Sequence, residues 1–341
     1  MDIKQKKGLL IGVLVAVAGI TAAASYMLFS SLSADNETHY VYIDNDDNID
    51  SVYNKVQPCC GSVQYEAFKV VSGVLSYDKG IRTGRYAVEP GVGAMQTVRH
   101  FRNGIQAPIS LTIPSVRTLD RLAEEVSKRM MMSKDELLKA LTDQKTCQAY
   151  DLDTLTMACL FIPNTYDIYW NISVEKFLDR MNDERNKFWN DDRSAQAEAA
   201  GMTENEVITL ASIVDEETAN DAEKPMVAGM YINRWKINMP LQADPTVKYA
   251  LKDFSIKRIY NDMLKVNSPF NTYKNTGLPP GPIRIPSVAG IDAVLNYVHH
   301  DYIYMCAKED FSGTHNFAVT YAEHLKNAAK YSKALNDRGI K

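Results

Sequence analysis

The stretch Leu210-Ala211-Ser212-Ile213-Val214-Asp215-Glu216-Glu217-Thr218-Ala219 places three acidic residues at the end of an apolar run. The segment Thr203-Glu204-Asn205-Glu206 precedes it and has the pattern of a capping box, which predicts that a helix begins there. Val207, Leu210 and Val214 then share one face at the helical spacing of about 100° per residue. The sequence therefore predicts a helix with one buried stripe that ends in the acidic triplet.

The three acids face different surroundings on such a helix. Glu217 lies three positions after Val214 and seven after Leu210, so it borders the buried stripe. Glu216 points to the opposite, solvated face, and Asp215 lies on the far flank of the stripe. Glu217 is the candidate for a partly desolvated carboxyl with a raised pKa, which an acid catalyst of glycosidic bond cleavage needs. The alternative is that all three acids form an ordinary solvated helix surface.

The spacing of the acids also limits the mechanism. A retaining glycosidase needs two carboxyls about 5 Å apart, and an inverting one needs a larger separation. Side chains at positions i and i+2 of a helix diverge, so Asp215 and Glu217 are a poor pair of flanking carboxyls. The sequence favours a mechanism with a single acid, or one with a second acid from elsewhere in the chain.

A second polar segment follows at Leu241-Gln242-Ala243-Asp244-Pro245-Thr246-Val247. Asp-Pro here predicts a helix start, with Asp244 as N-cap and Pro245 at the first helical position. That structural role is favoured over catalysis for Asp244. Gln242 and Thr246 carry groups that can donate hydrogen bonds to a sugar.

The other motifs argue for a site without metal or cofactor. Gly277-Leu278-Pro279-Pro280-Gly281-Pro282-Ile283 is a stiff loop that can form the wall of a groove, and it lacks the Lys-Ser/Thr of a phosphate-binding loop. His299-His300 and His315 lack the spacing of a metal site. The five cysteines show no Cys-x-x-Cys pair. The sequence therefore predicts neither a metal nor an organic cofactor.

The N-terminus predicts a membrane anchor. Residues 8–29 are mostly apolar and carry no charge, and about 20 such residues span a bilayer as a helix. Lys4, Lys6 and Lys7 precede the run, and the next Lys or Arg is Lys55. This asymmetry predicts a cytoplasmic tail at 1–7, a single span in the inner (cytoplasmic) membrane and an extracytoplasmic bulk. The alternative is a cleaved signal peptide, for which Thr21-Ala22-Ala23-Ala24-Ser25 offers small residues.

The rest of the 341-residue chain is predicted to be α+β. Short strands at Tyr40–Ile43, Gly84–Val88 and Ile109–Ile113, with helices between them, indicate a linker and a small α/β module over 30–110. A helix-rich domain follows over 111–341, and no internal repeat is evident. The net charge of -4 gives no electrostatic reason to expect nucleic acid as a partner.

At these residues the chain resembles the YceG-like family, the endolytic murein transglycosylases. The resemblance is carried by an ordered set of motifs: Ala211-Ser212-Ile213-Val214 with Glu217-Thr218-Ala219, Asn233-Arg234, Leu241-Gln242 with Asp244-Pro245-Thr246-Val247 and Tyr249, Asn271-Thr272-Tyr273, Gly277–Ile283 and His315-Asn316-Phe317. It implies a single N-terminal anchor, a small LysM-like module and an α+β catalytic domain. The essential acid of the family falls on Glu217, and the glutamate two positions earlier is replaced by Asp215.

The resemblance also implies an activity. Glu217 protonates the oxygen between N-acetylmuramic acid and N-acetylglucosamine, and its carboxylate then takes the proton of the C6 hydroxyl, which leaves a 1,6-anhydro end. The expected substrate contacts are Gln242, Asp244, Thr246, Asn271 and Tyr273. The expected partners are nascent peptidoglycan glycan strands, the peptidoglycan synthases and the membrane. Two other functions stay open, a non-catalytic scaffold that binds the cell wall and a murein hydrolase that uses water.

Overall fold

The computed structural model describes residues 3–256 and 258–339. It combines helices with small two-stranded sheets, which confirms the predicted α+β class. The chain divides into two compact units. One comprises the residues up to Ser110 together with Asp167–Ile172, and the other comprises Leu111–Tyr166 and the residues from Ser173 onward.

The first unit begins with the long apolar helix α1 (Ile3–Phe29). Its segment Lys7–Phe29 has 23 residues and a mean hydropathy of 2.2, and is long and apolar enough to cross a membrane. At 1.5 Å per residue the segment measures about 35 Å, against a hydrocarbon core of about 30 Å. A signal sequence has the same position and composition, so both alternatives for this helix stand.

A small sheet and three helices complete the first unit. They are β1 (His39–Ile43), α2 (Ile49–Val56), α3 (Ser62–Val74), β2 (Gly84–Val88) and α4 (Ala94–Asn103). β1 and β2 pair antiparallel, with His39 opposite Val88 and Ile43 opposite Gly84. Alternate strand residues are buried in the core of the unit, where the ring of Tyr86 lies 4.7 Å from that of Phe101.

The second sheet pairs β3 (Ile109–Ile113) with β4 (Asn164–Ile168), and the chain passes between the two units within these strands. The helices of the second unit are α5 (Leu119–Ser127), α6 (Lys134–Thr142), α7 (Gln144–Gln148), α8 (Val174–Phe188), α9 (Asp191–Ala200), α10 (Glu204–Glu217), α11 (Lys224–Lys236), α12 (Asp244–Leu251), α13 (Val288–Leu295) and α14 (Tyr321–Asp337). A hairpin of β5 (Tyr304–Ala307) and β6 (His315–Ala318) precedes α14.

The order of elements reveals an internal repeat that the sequence does not show. The series β1-α2-α3-β2-α4 recurs as β3-α5-α6-β4-α8, with the short helix α7 added after α6. Both copies place a buried tyrosine at the third position of the second strand, and its hydroxyl donates to a carbonyl four residues earlier. Tyr86 donates to Arg82 O at 2.9 Å, and Tyr166 donates to Ile162 O at 2.7 Å. The sequence shows no such repeat, because the two copies share the order of their elements and this tyrosine contact rather than their residues.

Helix α10 lies at the centre of the second unit. Its N-terminal capping box on Thr203 and Glu206 is present as predicted. All eight residues from Val207 to Val214 are buried, so the predicted single buried stripe is wrong. The helix contacts α9, α11, α12 and α13, and a helix covered on every side is apolar on every side. The acidic triplet lies at the C-terminal end of this buried helix.

Candidate active site

Glu217, the last residue of α10, lies in a pocket of about 240 Å³. Three separate parts of the second unit line this pocket: the ends of α10 and α11, the segment around Asp244 and Tyr273, and the β5–β6 hairpin. The lining residues are Glu217, Met230, Tyr231, Arg234, Leu241, Gln242, Asp244, Tyr273, Met305, Cys306, Ala307 and His315.

Burial, one hydrogen bond and three nearby charged groups determine the pKa of the Glu217 carboxyl. Burial raises the pKa of Glu217 above its ordinary value, and the hydrogen bond from Tyr231 opposes this rise. The Tyr231 hydroxyl donates to Glu217 Oε1 at 2.6 Å, and Tyr231 is only 2% exposed. The negative charge of Asp244 raises the pKa of Glu217 further, whereas His315 and Lys248 lower it. The result is the raised pKa that the sequence predicts for an acid catalyst.

We expect Tyr231→Phe to raise the pKa of Glu217 further. The lost hydrogen bond stabilises the charged carboxylate, so its removal favours the protonated form. A plot of glycan cleavage rate against pH should then shift its alkaline limb to higher pH. A shift to lower pH, or no shift, would contradict the assignment of Tyr231 as the hydrogen-bond donor that lowers the pKa of Glu217.

Asp244 and Tyr273 form a second polar pair in the pocket. The Tyr273 hydroxyl donates to Asp244 Oδ1 at 2.5 Å. Asp244 is the first residue of α12, and the N-cap is Ala243, so the predicted capping role of Asp244 is wrong. Its carboxylate instead accepts the hydrogen bond from the Tyr273 hydroxyl. Gln242 lines the same pocket with a left-handed backbone, φ 52°, which a non-glycine residue adopts only where its surroundings hold it.

Thr246 and Asn271 lie behind the pocket rather than in it. Both are 0% exposed, which corrects the prediction that they contact sugar directly. Thr246 Oγ1 is within 2.8 Å of Thr272 Oγ1 and donates to Ala243 O. Asn271 Nδ2 donates to the carbonyls of Leu264 and Val266 at 2.9 and 2.8 Å. Their polar groups form hydrogen bonds within the loops that carry Asp244 and Tyr273.

We expect Asn271→Ala to destabilise the fold by about 1–3 kcal/mol, because it leaves two loop carbonyls without their buried donor. The free energy of unfolding in urea measures this loss. Asn267→Ala removes an exposed amide from the same loop and serves as the matched control. Equal stability of Asn271→Ala and the parent chain would show that the loop does not depend on this amide.

Asp215 ties three helices together beneath the site. Its side chain is 3% exposed and forms an ion pair with Lys224 at 2.8 Å, at the start of α11. It also accepts from the backbone N–H and the hydroxyl of Ser287, the N-cap of α13, at 2.6 and 3.0 Å. Gly290 leaves room for it, since a Cβ there would lie 2.5 Å from Asp215 Oδ1. Asp215 thus fixes the end of α10 from the side opposite the pocket.

Glu216 is also held, although the sequence predicts a solvated position. Its side chain is 11% exposed and receives ion pairs from Arg117 at 2.8 Å and Arg284 at 2.9 Å. The prediction is wrong because long-range arginines cover this side of α10. Only Glu217 among the three acids faces the pocket, and the other two hold the helix end in place.

The loop Gly277–Ile283 packs against α10 rather than lining the pocket. The Ile283 N–H donates to Ser212 Oγ at 3.0 Å. A Cβ at Gly281 would lie 2.2 Å from the carbonyl oxygen of Leu155, so only glycine fits there. The loop therefore supports helix α10, and its Pro282 lines a different cavity from the one that contains Glu217.

Three pocket residues, Tyr231, Arg234 and His315, are not among the predicted site residues. Arg234 donates to Leu241 O at 2.7 Å and so holds the segment that leads to Asp244. His315 is in a strand 98 positions after Glu217, and the resemblance to a family motif is the signal that marks it. Among the described residues, no cluster of three or more His, Cys, Asp or Glu has the arrangement of a metal site.

The fold and pocket together define a class of protein: an α+β domain in which one glutamic acid, at the end of a buried central helix, faces a polar pocket. The YceG-like family model matches residues 41–330 of this chain. The chain belongs to the YceG-like family.

Named relatives agree with this membership. The chain is 28% identical over 275 residues to the endolytic murein transglycosylase of Bacillus subtilis, covering 76% of this chain and 75% of that one. It is 26% identical over 281 residues to the endolytic murein transglycosylase of Streptococcus pneumoniae D39, and there it spans about half of the relative's length (51%). The crystal structure of a YceG-like protein from Listeria monocytogenes matches with a TM-score of 0.56 and 26% identity, over 85% of this chain and 98% of that one.

Proposed function

We propose that this chain is an endolytic murein transglycosylase that cleaves the bond between N-acetylmuramic acid and N-acetylglucosamine in peptidoglycan. One observation carries the proposal: a glutamic acid with a raised pKa faces a polar pocket at the end of a rigid helix. Membership in the YceG-like family and the names of the relatives support it.

Glu217 supplies the proton that the reaction needs. Its raised pKa favours the protonated carboxyl, which can protonate the bridging oxygen as the bond to the anomeric carbon breaks. The C6 hydroxyl of the same sugar attacks that carbon, and its proton is taken up within the pocket. The products are a free N-acetylglucosamine hydroxyl and a 1,6-anhydro end, and no water is consumed.

The other pocket residues bind and orient the sugars. Gln242 offers amide groups, and Asp244 and Tyr273 form a bonded pair with further hydrogen-bonding capacity. Thr246 and Asn271 contribute indirectly through the loops that they hold. In this scheme the protein uses no metal and no organic cofactor.

Asp244 gives a specific reason to consider a hydrolase as the second candidate. It is a second carboxylate in the same pocket as Glu217, and such a group can activate a water molecule. Mass spectrometry of the products distinguishes the two reactions. Digestion of isolated murein by the full chain in detergent should release fragments with 1,6-anhydro ends. Free reducing ends alone would establish a hydrolase, and intact strands that co-sediment with the protein would establish a scaffold.

The apolar helix α1 suggests where the reaction takes place. Lys7–Phe29 serves as a single membrane span with the N-terminus inside, and the residues that follow Phe29 lie outside the cytoplasm. An anchored enzyme reaches nascent glycan strands close to the membrane, where the peptidoglycan synthases work. Retention of the N-terminal peptide in the mature membrane protein tests the anchor against a cleaved signal peptide.

A further inference from the structure

The pocket contains a histidine whose ring orientation is fixed from behind. The Glu223 carboxylate, 8% exposed, accepts the backbone N–H of His315 at 2.6 Å and lies 3.1 Å from His315 Nδ1. It also accepts the Thr218 hydroxyl at 3.0 Å. Thr218 directly follows Glu217, so one buried carboxylate joins the end of the catalytic helix to strand β6.

This arrangement determines which ring nitrogen of His315 carries the proton. A carboxylate can only accept, so Nδ1 of His315 must be the donor in their contact. In the neutral ring, Nε2 then has a free lone pair. His315 lines the pocket with Glu217, and its Nε2 makes no hydrogen bond to any residue within 3–256 and 258–339. The pocket therefore contains an oriented acceptor that its own protein does not use.

The attacking hydroxyl must pass its proton to an acceptor in the pocket, and the alternatives are His315 Nε2 and the Glu217 carboxylate that remains once the bridging oxygen has been protonated. A protonated Glu217 that receives the Tyr231 hydrogen bond is poorly placed to accept from the attacking hydroxyl as well. Asp244 is the other acceptor in the pocket, and its Oδ1 is occupied by Tyr273. His315 Nε2 is free from the start.

We infer that His315, positioned by Glu223, is the base that accepts the proton of the attacking C6 hydroxyl, while Glu217 acts as the acid. This inference rests on the proposed transglycosylase function. The O6–H bond breaks and its proton goes to Nε2, while the O6–C1 bond forms with the electron pair of the hydroxyl oxygen. The C1–O bond to the departing sugar breaks as its oxygen takes the proton of Glu217. The imidazolium then returns a proton to the Glu217 carboxylate, which restores both groups.

The test is chemical rescue of His315→Ala. We expect this variant to lose about 10²–10⁴-fold in kcat with little change in KM, because a general base acts in the transition state. Added imidazole should enter the space left by the ring and restore at least tenfold of the lost rate. The exposed His299 provides the matched control: His299→Ala should retain full activity and show no response to imidazole.

Each result decides the inference. Full activity of His315→Ala overturns it, as does a folded but inactive variant that imidazole does not rescue, since that behaviour indicates a structural role. If the alanine variant does not fold, His315→Gln replaces it: retained cleavage overturns the inference, and loss of cleavage with intact glycan binding supports it. Formation of anhydro ends by the parent chain is measured in the same assay. The proposed function can therefore stand while the role of His315 fails.

Discussion

Glu217→Gln should stop glycan cleavage and leave the protein folded. The amide keeps the shape of the side chain and its contact with Tyr231, but it has no acidic proton for the bridging oxygen. Loss of general acid catalysis reduces the rate by about 10²–10⁴-fold. Release of soluble fragments from isolated murein measures the effect, and Glu198→Gln on the exposed side of α9 is the control.

The same variant has an expected signature in stability. Because the pKa of Glu217 is raised in the folded state, the folded chain holds this proton at pH values where the unfolded chain has released it. Stability of the parent chain therefore falls as the pH rises through the interval between the ordinary carboxyl pKa and the raised one. Glu217→Gln removes this contribution, so at neutral pH it should melt at the same or a higher temperature. If Glu217→Gln cleaves murein at the rate of the parent chain, Glu217 is not the acid of this reaction.

Asp215→Ala should cost about 3–5 kcal/mol of unfolding free energy, because it removes the buried partner of Lys224 and leaves the ammonium with only the exposed Asp221. Burial lowers the pKa of Lys224, but the hydrogen bonds from Lys224 to Asp215 and Asp221 outweigh it and the net pKa is raised. Ser287 loses an acceptor for its backbone N–H in the same change. Urea unfolding monitored by circular dichroism gives the difference.

Asp221 provides the matched control for that experiment. It also pairs with Lys224, at 2.6 Å, but its side chain is 70% exposed. Exposed pairs contribute about 0–1 kcal/mol, so Asp221→Ala should be nearly neutral. Equal losses for the two aspartates would mean that burial does not distinguish them, and the role assigned to Asp215 would then be incorrect.

Local signals in the sequence predict several boundaries of helices and strands at the correct residue. Strands β2 and β3 begin and end where the sequence predicts, and β1 begins one residue earlier than predicted. Thr203 starts helix α10 with the predicted capping box. Such boundaries depend on neighbours within a few positions, and the sequence displays those neighbours directly.

Long-range pairing limits what the sequence can show. The β5–β6 hairpin and the repeat of the βααβ order depend on partners that local patterns do not display. Strand β4 is not among the predicted strands, because its pairing partner β3 is more than 50 residues away.

The candidate site divides in the same way. Glu217, Gln242, Asp244 and Tyr273 all line one pocket, and the family resemblance leads to each of them. Thr246 and Asn271 share the same motifs but serve the loops. Motif membership marks residues that matter to a site, and only the packing tells which of them reach its surface.

The all-round burial of α10 constrains how a site of this kind can evolve. Helix α10 contacts four other helices and cannot shift without disturbing them. The position of Glu217 at its C-terminal end is therefore constrained. Variation can accumulate instead at the half-buried pocket residues Met305, Cys306 and Ala307, to which the proposed mechanism assigns no role. New preferences for sugar decoration can therefore arise by remodelling the surroundings while the acid keeps its place.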